Sequence, residues 1–445
     1  MLETISYRNI WRVSYPLILS FLAITLINVT DIAFMGRLGE IAIGATGLGG
    51  LYVLVFVMAS MGLSIGAQII MARYNGEKAL DKIGLVFDHL LYVQLLLGIL
   101  LSILHFTVGE PLLRLMVSSD AVYDGIIEYL FVRMLGLLPT LLGLSYRAFL
   151  TGISLTRPIG YASGIMAVAN FGLNYILVFG KFGFPAMGIA GAAIASVLSE
   201  MLSLAYLVLW IRFKKLAGSH GIHLFPRIKW APIVNIFRIS APIMVQNLMA
   251  ICTWFIFFLL IEGLGERALA VSNVVRSGYM VLMIPVIGIG QATQTLVSTL
   301  IGQGGTHLVR ILVLRLISIS FLSALALVVL VLSVPSFLLT LFTNDSTLVT
   351  ASIPILSVVA FGILLFSVAI VLISVVSGSG NTLITMFIEM ATIAFYMLYI
   401  LLSVKVFEFP LVKIWYAEPI YFLCLGTFSA LYLWTGKWKN AKVHE

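Results

Sequence analysis

Stretches of about twenty or more apolar residues recur from one end of this chain to the other. Each is long enough to cross a hydrocarbon layer of about 30 Å, and no other feature restricts the fold so severely. Backbone polar groups cannot be left unpaired in lipid, and the stretches lack the short alternating pattern of barrel strands, so they are expected to be helices. We place spans at 12–35, 44–72, 86–109, 123–152, 158–180, 187–211, 232–262, 268–300, 311–335, 347–378, 382–406 and 414–435. The 445 residues are 61% hydrophobic and 10% charged, with a mean hydropathy of +1.12, which excludes a soluble globular domain. The first span is too long for a signal-peptide core and no small-residue cleavage pattern follows it, so it is expected to remain in the protein. The expected fold is an all-α integral membrane bundle of about twelve helices.

A net charge of +8 would suit a polyanion partner, but its distribution points to topology. Arg8, Arg12, Arg73, Lys78, Arg157, Lys214, Lys215, Arg227, Arg310 and Lys437 fall at the N-terminal side or in alternate loops that share it. The opposite loops are rich in acids, among them Glu40, Glu110, Asp120, Glu262, Glu408 and Glu418. The positive-inside rule then places both termini in the cytoplasm, with the chain in the inner (plasma) membrane and no nucleic-acid partner. Cys252 and Cys424 lie within spans and are expected to pack as small apolar groups. No Walker or HExxH sequence occurs, so neither direct use of ATP, nor an enzyme, nor a cofactor is expected.

The chain also repeats itself. "NIWRVSYPLIL" (9–19) lies over "NIFRISAPIMV" (235–245) at a shift of 226. The same ungapped register aligns Leu38, Gly39, Glu40 and Ala42 with Leu264, Gly265, Glu266 and Ala268, and Gly62, Gln68 and Gly76 with Gly288, Gln294 and Gly302. At a shift of 224, "NYILVF" (174–179) meets "LYILLS" (398–403). Two parallel six-helix lobes, 1–212 and 232–445, are therefore expected around a central cavity, with 213–231 as a cytoplasmic linker.

Comparing the halves isolates a candidate site. Asp31, about twenty residues into the first span, aligns with Phe257. Asn170 and Asn174, one turn apart on one helix face, align with Ala394 and Leu398. A carboxylate at such depth costs on the order of 3 kcal/mol and normally faces a cavity, a partner or an ion. Asp31 is thus a candidate carrier of a proton or a cation, in a polar cluster that the second lobe is expected to lack. Ser196, in the small-residue stretch "GFPAMGIAGAAIAS" (183–196), is placed to face that cluster, while the glycines serve close packing of spans five and six. Gln246, Asn247, Asn273 and Arg276 are candidates for the wall of a substrate cavity, with interhelical hydrogen bonding an equal alternative. Arg133, Glu200 and Glu389 also fall within spans; Arg147 is expected to snorkel to the interface and His105 to be interfacial.

These features, with "NVTDIAFMGRLGE", "YRAFLTGISLTRP" and "NFGLNYILVFGKFGFPAMGIAGAAIAS", resemble the multidrug and toxic compound extrusion (MATE) family over essentially the whole chain. The resemblance implies secondary efflux of amphipathic, often cationic small molecules in exchange for H⁺ or Na⁺, with Asp31 as coupling carboxylate and Asn170, Asn174 and Ser196 around it. One branch carries a glutamate eight residues past the proline of span seven, where this chain has Ala250, so the resemblance is to the DinF-like branch. Some members of that branch have a second aspartate where this chain has Asn174. A Na⁺ site at Asp31, Asn170 and Asn174 would lack that charge, which favours H⁺. Membrane lipids are the expected surroundings and a monomer the expected state. The alternative is a lipid-linked oligosaccharide flippase of the same superfamily, which calls for several cations in the cavity to hold pyrophosphate.

Overall fold

A computed structural model describes residues 1–440. Its α-helices run α1 (Tyr7–Gly36), α2 (Glu40–Glu77), α3 (Leu80–Leu104), α4 (Glu110–Met116), α5 (Asp120–Leu135), α6 (Leu137–Gly152), α7 (Arg157–Phe179), α8 (Gly188–Phe213), α9 (Leu216–Ser219) and α10 (Trp230–Glu262). They continue with α11 (Glu266–Gly302), α12 (Val309–Ser333), α13 (Pro335–Thr340), α14 (Ser346–Gly378), α15 (Thr382–Lys405), α16 (Leu411–Ile414) and α17 (Ala417–Trp434). Among the described residues there is no strand. Among the described residues eleven helices are long and apolar enough to cross a membrane, and the bent pair α5–α6, taken as one span, makes a twelfth.

That twelfth span departs from expectation. The run expected as one helix over 123–152 turns by 49° between α5 and α6. Gly136 sits at the bend, with the Val197 side chain against it where a Cβ would otherwise be. Pro139, three residues on, has no N–H to give the carbonyl of Leu135 and crowds it.

Contacts divide the chain into two compact units, Leu19–Met244 and Met1–Ile18 with Val245 onward. The divisions fall inside α1 and α10, two residues beyond Pro16 and Pro242, at positions that correspond under the 226-residue repeat. The repeat also fixes backbone detail. Gly39 and Gly265 precede α2 and α11 with φ of +111° and +112°, in an extended region essentially closed to other residues. Within the first unit a Cβ on Gly62 would stand 2.8 Å from the Cα of Met244. Within the second, a Cβ on Gly288 would stand 3.0 Å from the Cα of Ile18. Glycine is thus demanded at both aligned pairs by the same two geometries.

In the Leu19–Met244 unit, residues 213–229 are held against α3 rather than hanging free. Buried Asp88 accepts the backbone N–H groups of His223 at 3.0 Å and Leu224 at 3.2 Å, and His89 Nε2 accepts that of Lys229 at 2.9 Å. Tyr92 donates to the Pro226 carbonyl at 2.6 Å. His105 is fully buried within the protein: its Nδ1 lies 3.3 Å from the Tyr52 hydroxyl, inside a π-helical turn at His105–Gly109. In the other unit, Phe257, Tyr279, Tyr396 and Trp415 are among the buried side chains of the apolar core. The expected core packing of the cysteines fails for Cys252, which is exposed on α10; Cys424 is half-buried.

α7 and α8 pack as the small-residue pattern led us to expect. A Cβ on Gly191 would stand 2.8 Å from the carbonyl carbon and oxygen of Leu177, whereas one on Gly164 would meet nothing within 4 Å. Gly191→Leu is therefore expected to cost about 2 kcal/mol through overpacking, lowering the unfolding temperature in detergent. Gly164→Leu is the matched control and should leave that temperature unchanged or slightly raised.

Candidate functional site

The close approach of α7 and α8 sets the stage for a polar cluster. Asn170 and Asn174 are fully buried on one face of α7. Asn174 Nδ2 donates to Asp31 Oδ1 on α1 at 2.7 Å and to Asn170 Oδ1 at 3.1 Å. Asn170 Nδ2 in turn lies 3.5 Å from Ser196 Oγ on α8. The four residues singled out from the sequence are thereby joined in one chain of side-chain contacts. The remaining amide oxygen of Asn174 is buried with no hydrogen-bond partner, an acceptor held ready for a donor that the protein itself does not supply.

Asp31, Asn170 and Ser196 line a cavity of about 310 Å³ in the Leu19–Met244 unit. Arg133, Thr140, Arg147 and Glu200 line the same cavity. Arg133 Nη1 lies 3.0 Å from Glu200 Oε1, and the Thr140 hydroxyl donates to the other carboxylate oxygen. Arg147 donates to Ser20 at 2.8 Å and to Ser163 at 3.1 Å, and those two hydroxyls lie 2.8 Å apart. The snorkelling expected of Arg147 does not occur, because hydroxyls on α1 and α7 offer it partners beside the cavity. With both carboxylates ionised, two acids balance two guanidinium groups. Neutralising Asp31 alone leaves the lining with one net positive charge, so occupancy of this carboxyl changes the field felt by any ligand.

The other candidates do not gather in this way. Gln246 donates to Glu389 at 3.3 Å. The guanidinium of Arg276 sits 4.8 Å from the centre of the Phe258 ring. Asn273 accepts the Ser277 hydroxyl through its backbone carbonyl, and Asn247 is half-buried on α10. None of the four lines this cavity.

The expectation that the second half has no polar cluster is overturned. Glu418, assigned from the sequence to an outer loop, is 2% exposed on α17 and accepts Tyr279 at 2.8 Å and Tyr396 at 3.0 Å. Glu389, 4% exposed on α15, accepts Tyr421 as well as Gln246. The repeat comparison missed them because it asked which polar positions of the first half recur. These carboxylates stand at positions that are apolar there. The tyrosines at helical spacing were the available signal. Among the described residues no group of three or more His, Cys, Asp or Glu could hold a metal ion.

Comparison with known proteins agrees with the repeat. The MatE family model matches the chain twice, over 16–176 and 242–404, two matches that begin 226 residues apart. The "Probable multidrug resistance protein NorM" of Thermotoga maritima is 26% identical over 424 residues, covering 94% of this chain and 90% of its own length. That of Agrobacterium fabrum is 28% identical over 292 residues, 65% of this chain and 62% of its own length. Among solved structures, a MOP superfamily transporter from Pyrococcus furiosus superposes with a TM-score of 0.90 at 20% identity, over 99% of both chains. A point mutant of the Vibrio cholerae MATE transporter VcmN also gives 0.90, at 16% identity, over 100% of this chain and 99% of that one. Those two structures share the fold. With two family matches spanning most of its length, this chain is a multi-span membrane transporter, not an enzyme, and belongs to the MatE family.

Proposed function

We propose that the protein is a secondary efflux antiporter that exports amphipathic, chiefly cationic compounds in exchange for an inward-moving cation, with Asp31 as the coupling carboxylate. The observation that carries this reading is the placement of Asp31, half-buried, hydrogen-bonded to Asn174, on the wall of a cavity whose other charges, Arg133, Arg147 and Glu200, leave one positive charge for it to balance. An ionised Asp31 balances the lining and tolerates a cationic ligand. A neutralised Asp31 leaves an excess positive charge that repels one. Coupling needs only this difference in affinity between two states. The multidrug-resistance names of the relatives support a role in drug export.

The exchanged ion is H⁺ in this reading. A hard metal cation prefers many oxygen ligands and formal negative charge. Here one carboxylate stands beside two amides, and the Asn174 amide turns its nitrogen toward Asp31. Na⁺ at Asp31, Asn170 and Asn174 is the competing assignment. Ala250 stands at the place where one branch of the family has a glutamate, which supports the DinF-like branch. The distribution of basic residues supports cytoplasmic termini.

Two measurements test the reading. In energised cells, wild type should extrude a fluorescent cation when a proton gradient is imposed and not when only a Na⁺ gradient is imposed. Asp31→Asn, expressed at equal level, should fall to the efflux of vector-only cells; efflux equal to wild type would remove Asp31 from the coupling step. Glu200→Gln frees the charge of Arg133, a perturbation of about 1.7 kcal/mol at 10 Å and an effective dielectric of about 20. The apparent KM for the dye should therefore rise by at least about tenfold, with dependence on the proton gradient retained. An unchanged KM would show that this ion pair has no part in setting the charge of the binding space.

A further inference from the structure

We propose that the unit formed by Met1–Ile18 and Val245 onward holds a second ligand site, a small aromatic cavity closed by Glu418 that takes an organic ammonium group. The site goes beyond the coupling role of Asp31 and requires nothing of it.

The first argument is positional. A cavity of about 170 Å³ in this unit is lined by Ala250, Thr253, Trp254, Tyr279, Met283 and Phe366, among others. Under the 226-residue shift these are the counterparts of Ile24, Ile27, Asn28, Val53, Val57 and Thr140. All six of those counterparts line the cavity of the first unit. The repeat has therefore kept a hollow at one place in both halves while exchanging its side chains. A structural void with no use would be expected to fill, since unfilled space in a helix bundle forfeits packing energy.

The second argument is chemical. Six of the eleven lining residues are aromatic: Trp254, Tyr279, Phe366, Tyr396, Tyr421 and Phe422. No Lys, Arg or His lines the cavity. Glu418 lies in its wall, held by Tyr279 and Tyr396, and Glu389 stands behind Tyr421. Among the described residues neither carboxylate belongs to a salt bridge. The first cavity balances its acids with arginines, whereas this one offers acid with no protein cation. A buried carboxylate calls for a counter-charge. Aromatic faces attract a cation that has no hydrogen to donate, and a cage of rings is the usual receptor for quaternary ammonium. The space is smaller than the roughly 300–1,000 Å³ that holds a drug-sized molecule, so the occupant is an ammonium head, free or at the end of a longer amphiphile.

Tetramethylammonium is the probe. Purified full-length protein in detergent is titrated with its chloride salt against NaCl at equal ionic strength, and binding is followed by intrinsic tryptophan fluorescence and by the shift in unfolding temperature. Saturable binding is expected in wild type, weakened at least tenfold in Glu418→Gln and in Trp254→Leu. It should be unchanged in Asp31→Asn. If Glu418→Gln does not fold, Trp254→Leu decides, because it leaves the carboxylate and its tyrosines in place. Absence of saturable binding in wild type, wild-type affinity in Trp254→Leu, or loss of binding in Asp31→Asn would each overturn the proposal. Loss of the Asp31 coupling reading appears in the efflux assay instead, so the two can fail separately.

Discussion

Lipid answers none of the charged or hydrogen-bonding groups within these helices, so they turn to other parts of the same chain or to a cavity. That constraint explains why the polar side chains form connected sets. Asp31 is met by Asn174, Asn174 by Asn170 and Asn170 by Ser196. Arg133 is met by Glu200, and Arg147 by Ser20 and Ser163. The first set includes Ser196 because α7 and α8 approach to backbone contact at Gly191, which brings Ser196 within reach of Asn170. Small residues at the helix crossing therefore support the chemistry of the cavity without touching it.

The repeat supplies a second level of order. Glycines at 39 and 265 adopt the same unusual backbone geometry, and glycines at 62 and 288 admit the backbones of Met244 and Ile18. These are demands of the scaffold, and both halves meet them with the same residue. The side chains around each hollow answer to a different demand and diverge freely. Asn28 in one half becomes Trp254 in the other, Val53 becomes Tyr279 and Thr140 becomes Phe366. A duplicated architecture can thus carry two chemically unlike cavities at little structural cost.

Most of the fold was legible before any coordinates. Apolar length defined the spans, and the ungapped register showed the duplicated plan that the two family matches repeat. Asp31, Asn170 and Asn174 could be grouped because their counterparts in the second half are apolar, and Ser196 because the small-residue stretch that follows them carries it. Other residues misled for physical reasons. Glu418 looks like a loop acid because it opens a helix near the end of an apolar run, yet two tyrosines from α11 and α15 bury it. Arg147 looks long enough to reach the interface, yet Ser20 and Ser163 offer nearer partners. Gly136 and Pro139 mark a bend within a hydrophobic stretch that hydropathy alone reads as continuous.

The sequence by itself determined that the chain crosses a membrane many times as helices, that it is built twice over on one plan, and that an acidic group lies deep in its first span. Those properties follow from length, composition and register, which are sums along the chain. Only the tertiary structure decided which polar groups meet, that Arg133 neutralises Glu200, and that Glu389 and Glu418 turn inward among tyrosines. Such pairings join residues up to 143 positions apart, and the partner of a side chain is set by where distant helices cross, which no local pattern records.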